Sequence, residues 1–235
     1  LAVECNYHKE TGIILRLKGL YNIMCQNYEE AERLLNESIN TFNITKKVAN
    51  KYALNIAAAY NYIGEIRRFN MKFDEAVTYY EKAIKICESK NAFISLAIFN
   101  INSGQATFDM GDYQKSRDYF EKALKLYFKI DSIWRKSIAE AFMALILNKD
   151  ESYIEGLKYL KNAHSHAQKM KNPHEMGVVL RVKAQIRADM EKNKNLKKVY
   201  SNYLDKSLEY YCEESKKNLK AAGDKYEIEV INNLR

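Results

Sequence analysis

The chain has 235 residues, 47% of them hydrophobic and 29% charged, with 8 glycines, 1 proline, 4 cysteines and a formal charge of +8. Abundant apolar residues exclude collagen-like, low-complexity and disordered chains, and scarce Gly and Pro leave too few turn residues for many short strands. An all-α fold is expected.

The chain opens Leu-Ala-Val-Glu-Cys-Asn, without an initiator Met or a basic-then-apolar leader, and reads as a piece of a larger protein. Cys5, Cys25, Cys87 and Cys212 are widely spaced. That spacing offers no metal or redox pair and no disulfide framework, and points to a reducing, cytoplasmic location. Apolar stretches such as Ile138 to Leu147 are interrupted by Glu140 and fall short of the roughly 20 residues of a membrane span.

Internal repetition organises the rest. Gly19 to Ile39, Gly64 to Ile84 and Gly104 to Leu124 align without gaps. Each Gly is followed by an aromatic (Tyr28, Phe73, Tyr113), a small residue (Ala31, Ala76, Ser116), a large one (Leu35, Tyr80, Phe120) and another small one (Ser38, Ala83, Ala123). The last three lie four and three residues apart, on one face of a second helix. A Gly opposite them on a first helix admits the second helix closely. A fourth copy, with Ala and Gly exchanged, runs through Ala144, Tyr153, Gly156, Leu160 and Ala163. A fifth places a first helix over Met176 to Met190, with Ala184 at the small position. Its second helix is predicted over Leu196 to Glu213 with Tyr200, Leu204 and Ser207, after a lengthened charged link at 191–195. Asp224 to Arg235 reads as the opening of another unit.

This pattern resembles the tetratricopeptide repeat, and the spacings of 45 and 40 residues between the three glycines exceed the usual 34 of that family. The resemblance implies a right-handed α-α superhelix, a single array with helix pairs near 8–45, 50–90, 92–130, 133–171 and 174–214 and a terminal helix at 224–235. It also implies a groove lined by first-helix positions that here fall on Arg16, Ile23, Asn61, Glu65, Arg68, Ile101, Gln105, Phe108, Leu145, Asn148, Arg181 and Gln185. Amides there suit a peptide backbone, guanidinium groups a carboxylate, and apolar residues side chains. The Lys and Asn carboxylate clamp of chaperone-tail-binding relatives is absent. The longer repeats resemble those of bacterial regulators, both receptors for short peptides and multidomain transcription activators. A noncatalytic sensor or scaffold binding a protein or peptide segment is expected, the alternative being a self-association module that forms a homodimer.

No catalytic set stands out. His164 and His166 point roughly 200° apart on a helix, so they do not share a metal. No nucleotide or hydrolase motif occurs, and no cofactor or metal is expected. Glu81 with Lys85 and Glu121 with Lys125 are surface pairs at helical spacing. From Arg181 to Lys220 eleven basic residues outnumber six acidic ones. Because most aromatics fall on core positions, direct nucleic-acid contact is not expected even there.

Overall fold

A computed structural model describes residues 2–234, with side chains from Tyr7 to Leu234. The Cys5 side chain and Arg235, the end of the predicted terminal helix, lie outside the described residues. Among those residues the structure is helical throughout: α1 (Ala2–Met24), α2 (Tyr28–Phe42), α3 (Lys46–Lys51), α4 (Ala53–Phe69), α5 (Phe73–Ser89), α6 (Phe93–Asp109), α7 (Tyr113–Lys129), α8 (Lys136–Lys149), α9 (Tyr153–Met170), α10 (Pro173–Asp189), α11 (Lys194–Tyr200), α12 (Leu208–Ala222) and α13 (Lys225–Asn232). The chain forms two compact units, divided between Ser116 and Arg117 within α7.

In the first unit α1 pairs with α2 and α4 with α5, while α6 packs on α5. The glycines set these approaches. A Cβ on Gly19 would stand 2.7 Å from Leu35 Cγ, and one on Gly64 would stand 2.5 Å from Tyr80 Cε1. Both are the large second-helix residues of the sequence pattern. Gly12 meets the Phe42 ring in the same way. The small hydroxyl residues opposite do more than leave space: Ser38 Oγ donates to Gly12 O at 2.7 Å, and Ser116 Oγ to Gly104 O at 2.8 Å. Leu35, Phe42, Ile63 and Tyr80 are fully buried as a result.

A single turn recurs between first and second helices. Gln26, Met71, Gly111 and Glu151, each seven residues past the small first-helix position, all take positive φ. In each copy the next N–H reaches back to the carbonyl five residues earlier, as in Asn27 to Asn22 at 2.9 Å and Lys72 to Arg67 at 2.8 Å. These bonds satisfy carbonyls the helix end would leave open, a Schellman turn. Only one of the four positions is a glycine.

In the second unit α8 pairs with α9, and α10 with α12. The exchanged copy keeps the close approach, since a Cβ on Gly156 would stand 3.2 Å from Ala144 O. Pro173 opens α10 behind Asn172, whose side chain accepts from His174 and Glu175 N–H groups. The predicted second helix Leu196 to Glu213 is not continuous. α11 ends at Tyr200, and the side chain of Ser207 accepts from Tyr210 N to start α12 afresh. α12 is the partner of α10, with Leu219 2.6 Å from a Cβ on Gly177 and Ser215 Oγ donating to Gly177 O at 2.6 Å. α11 is an insertion lying on α9, where Tyr200 is fully buried.

Replacing Gly64 by Val should therefore destabilise the protein by roughly 1–3 kcal/mol, the usual penalty of overpacking. Urea denaturation measures this. A variant as stable as the parent would mean that Tyr80 can retreat and that the close approach is not required.

Candidate functional site

The first helices of the first unit stand side by side, α4 touching both α1 and α6. Their shared surface is polar where most helix contacts are apolar. Asn102 Nδ2 on α6 donates to Asn61 Oδ1 on α4 at 2.8 Å, and Arg68 Nε on α4 donates to Asp109 Oδ2 on α6 at 3.1 Å. Asn61, Arg68, Asn102 and Gln105 are 5%, 4%, 1% and 2% exposed. Asn102 Oδ1 is buried without a donor. An unsatisfied amide oxygen in such a place is costly and is the kind of group a ligand N–H completes. Glu65 and Phe108 are half-buried beside this row, with the Phe108 ring edge-on to Tyr113 at 5.2 Å. Arg16 is half-buried, and Ile23 packs against the apolar core of α1, α2 and α4. Ile101 has no exposed surface. Asn102 and Asp109 complete the row, although repeat position alone did not single them out. Their signal was polarity in a helix that carries no charge before Asp109.

In the second unit, residues of the same register are engaged within the chain. Arg181 on α10 is 3% exposed, with its Nε 2.6 Å from Glu227 Oε2 on α13 and its guanidinium 5.0 Å from the Phe142 ring centroid. Asn148 accepts from the Tyr200 hydroxyl of α11 at 3.0 Å. Leu145 is 4% exposed, and Gln185 is half-buried. Further acids tie the first helices together. Glu175 on α10 accepts from Arg135 N at 3.0 Å and from the Ser137 hydroxyl, and His174 Nε2 lies 3.0 Å from Asp224 Oδ2, the cap of α13. Glu140 on α8 instead ties a first helix to its own second helix, meeting His166 Nδ1 on α9 at 2.7 Å. Burial raises the pKa of Glu140, while His166 and then Lys136 pull it back.

Residues 57–90 and 98–129 match the family model for the tetratricopeptide repeat. Those two segments are tetratricopeptide repeats. No curated protein matches it. Among solved structures, the crystal structure of the apo form of RapI is similar, with a TM-score of 0.68 over 96% of this chain and 80% of that one. At 14% identity that likeness shows the fold, an all-α tetratricopeptide-like solenoid. Among the described residues no helix is long and apolar enough to cross a membrane, and no three His, Cys, Asp or Glu side chains gather into a metal set.

The repeat geometry explains why α13 holds its place: it stacks on α10 as a further first helix, and Arg181 with Glu227 is the buried charge pair of that contact. Removing one partner strands the other charge in a dry interface. Glu227→Ala should cost about 3–5 kcal/mol, whereas the double change Arg181→Met with Glu227→Leu should restore most of it. Urea denaturation of the three proteins checks this, and a single variant with the parental midpoint would show that the pair carries no stability.

Proposed function

We propose that the protein is a noncatalytic receptor or scaffold that binds an extended protein or peptide segment along its first-helix face, chiefly on α4 and α6. The observation that carries this reading is the buried row Asn61, Asn102, Arg68 and Asp109, with Asn102 Oδ1 left without a donor. An extended backbone supplies alternating N–H and C=O groups, and side-chain amides on neighbouring first helices are suited to bond them. Glu65 and Phe108 beside the row, and Arg16 and Ile23 on α1, supply charge and apolar contact. Gln105 and Ile101, both buried on α6, belong to the wall rather than its surface, and Leu145 is likewise buried on α8 in the second unit. In the second unit Gln185 is the accessible member of the register, Asn148 and Arg181 being held by α11 and α13. Residues 8–214 act in this reading as one cytoplasmic array, the sensing part of a bacterial signalling or transcriptional regulator.

A random dodecapeptide library selected against the intact chain tests the reading. Enriched peptides should compete with one another and lose about tenfold or more in affinity with Asn102→Ala or Asn61→Ala, the size of one good hydrogen bond to a buried amide. Peptides that ignore both changes but respond to Tyr79→Ala on α5 would sink it.

Self-association is the second reading, favoured by one observation on α1. Ile14, Leu17, Tyr21 and Met24 are 51%, 50%, 66% and 72% exposed and follow one another at spacings of three, four and three, with Tyr7 one heptad before Ile14. That is a coiled-coil seam, and an antiparallel second copy of α1 would meet it with the same seam. Light scattering over a concentration series should show a dimer that Leu17→Glu with Tyr21→Glu returns to monomer; a parent that stays monomeric at every concentration removes this reading.

A further inference from the structure

The charge balance around α10 is uneven. Arg181 has a buried carboxylate, but two residues on Lys183 has none. Lys183 is 5% exposed, and its ammonium faces aromatic rings, with Nζ 4.7 Å from the centroid of Tyr203 and 5.9 Å from that of Tyr211. The acid that acts on it is Asp205, exposed in the link between α11 and α12 and beyond ion-pair distance. Two other polar groups nearby lack partners: the Tyr203 hydroxyl and His164 Nδ1 are both buried with no hydrogen bond. A second ammonium, that of Lys161 on α9, lies 5.6 Å from the same Tyr203 ring.

Each of these groups is in a protonation state suited to an anion. Burial lowers the pKa of Lys183 to about 8, with Asp205 raising it, so the side chain is largely charged at pH 7. Burial, then the charge of Lys183, lower that of His164 to about 4, leaving a neutral imidazole that donates from Nδ1 in its Nδ1–H tautomer, the one an anion would select. Burial first, then Tyr211, raise that of Tyr203 to about 12, so its hydroxyl keeps its proton.

We propose that Lys183, the Tyr203 hydroxyl and His164 Nδ1, with Lys161 at the rim, form a binding site for a phosphate group between α9, α10 and the link that leads into α12. A cation would be repelled by the two lysines, and a neutral ligand would leave Lys183 uncompensated. A tetrahedral oxyanion accepts from ammonium, hydroxyl and imidazole together, and charge-assisted bonds of this kind are the strong ones. The aromatic faces hold the lysine in place without neutralising it. The inserted link that interrupts the fifth repeat supplies Tyr203, so the insertion acquires a role that a plain repeat could not fill. The site belongs to the second unit and does not depend on peptide binding at the first-helix row of the first.

The test is NMR of the intact chain, following the His164 imidazole and the Lys183 side chain, at constant ionic strength made up with chloride. Sodium phosphate forms one arm and phosphoserine the other. A saturable shift with either supports the site, and which of them saturates distinguishes a free phosphate ion from a phosphate monoester. The His164 pKa should rise on saturation, because the anion offsets the charge of Lys183. Lys183→Met should abolish the effect and Lys183→Arg retain it. Tyr203→Phe should weaken it by about tenfold, the loss of one hydrogen bond to a charged group. Far-ultraviolet circular dichroism confirms that each variant is folded. Linear shifts no larger than those with chloride, or saturation that survives Lys183→Met, would overturn the proposal.

Discussion

The structure rests on how near the backbones of a first and a second helix come to each other. Where Gly19 faces Leu35 and Gly64 faces Tyr80, there is no room for a single methyl group. Thin contacts of this kind let a large side chain from the second helix lie flat on the first, so Leu35 and Tyr80 are sealed from water. The serine bonds to Gly12, Gly104 and Gly177 carbonyls show a second use of the same approach. A hydroxyl near enough to reach a helical carbonyl pins the axial position of one helix against the other, which apolar packing alone leaves free to slide. The turn finishes the unit: the N–H of the positive-φ residue also reaches back, Gln26 to Ile23 O and Met71 to Arg68 O at 2.9 Å, and with both reverse bonds closed the second helix has a fixed direction.

Stacking one pair on the next uses a different chemistry. Between α4 and α6 the contact includes an amide pair and a charge pair, and between α10 and α13 a fully buried Arg and Glu. Such groups contribute less net stability than apolar residues of the same size would, because each gives up water first. They do make registers unequal, since a shift of one turn would separate Asn61 from Asn102 and Arg68 from Asp109 together. The polar row proposed to take a peptide backbone is thus also what fixes neighbouring repeats, and a ligand completing Asn102 would bear on the packing of α4 against α6.

The periodic small and large residues made the helix pairs legible in the sequence, because the physics behind them is a matter of side-chain volume. The turns were not legible in the same way. Gly111 announces its positive φ, but Gln26, Met71 and Glu151 adopt it as ordinary residues, compelled by the hydrogen bonds around them. The break at 201–207 was hidden because Leu196, Tyr200 and Leu204 keep a helical spacing across it. Its cue was Ser207 ahead of Leu208 and Glu209, a common arrangement at a helix start. For the candidate face, repeat position picks out first-helix residues, but it carries no information on depth. α6 and α8 are walled in by neighbours on several sides, which is why Ile101 and Leu145 are buried. Their sparse charge is the sequence sign of that environment.

Arg181 and Lys183 show how a local charge surplus divides into structure and opportunity. Both stand on α10, both are nearly inaccessible, and both contact aromatic rings. Arg181 looks toward the next first helix, where the repeat supplies Glu227 from a fixed position, and its planar fork is spent on that contact. Lys183 looks toward the second helices, where the insertion has replaced the regular neighbour with a link carrying Tyr203 and the exposed Asp205. A flexible point charge in that setting keeps its ammonium without a hydrogen-bonded counter-ion. The excess of basic residues from Arg181 to Lys220 is therefore more than a solvated helix face. At its deepest point it is a buried cation whose neighbours, a phenol and an imidazole, also lack partners, and a disrupted repeat is the reason they meet.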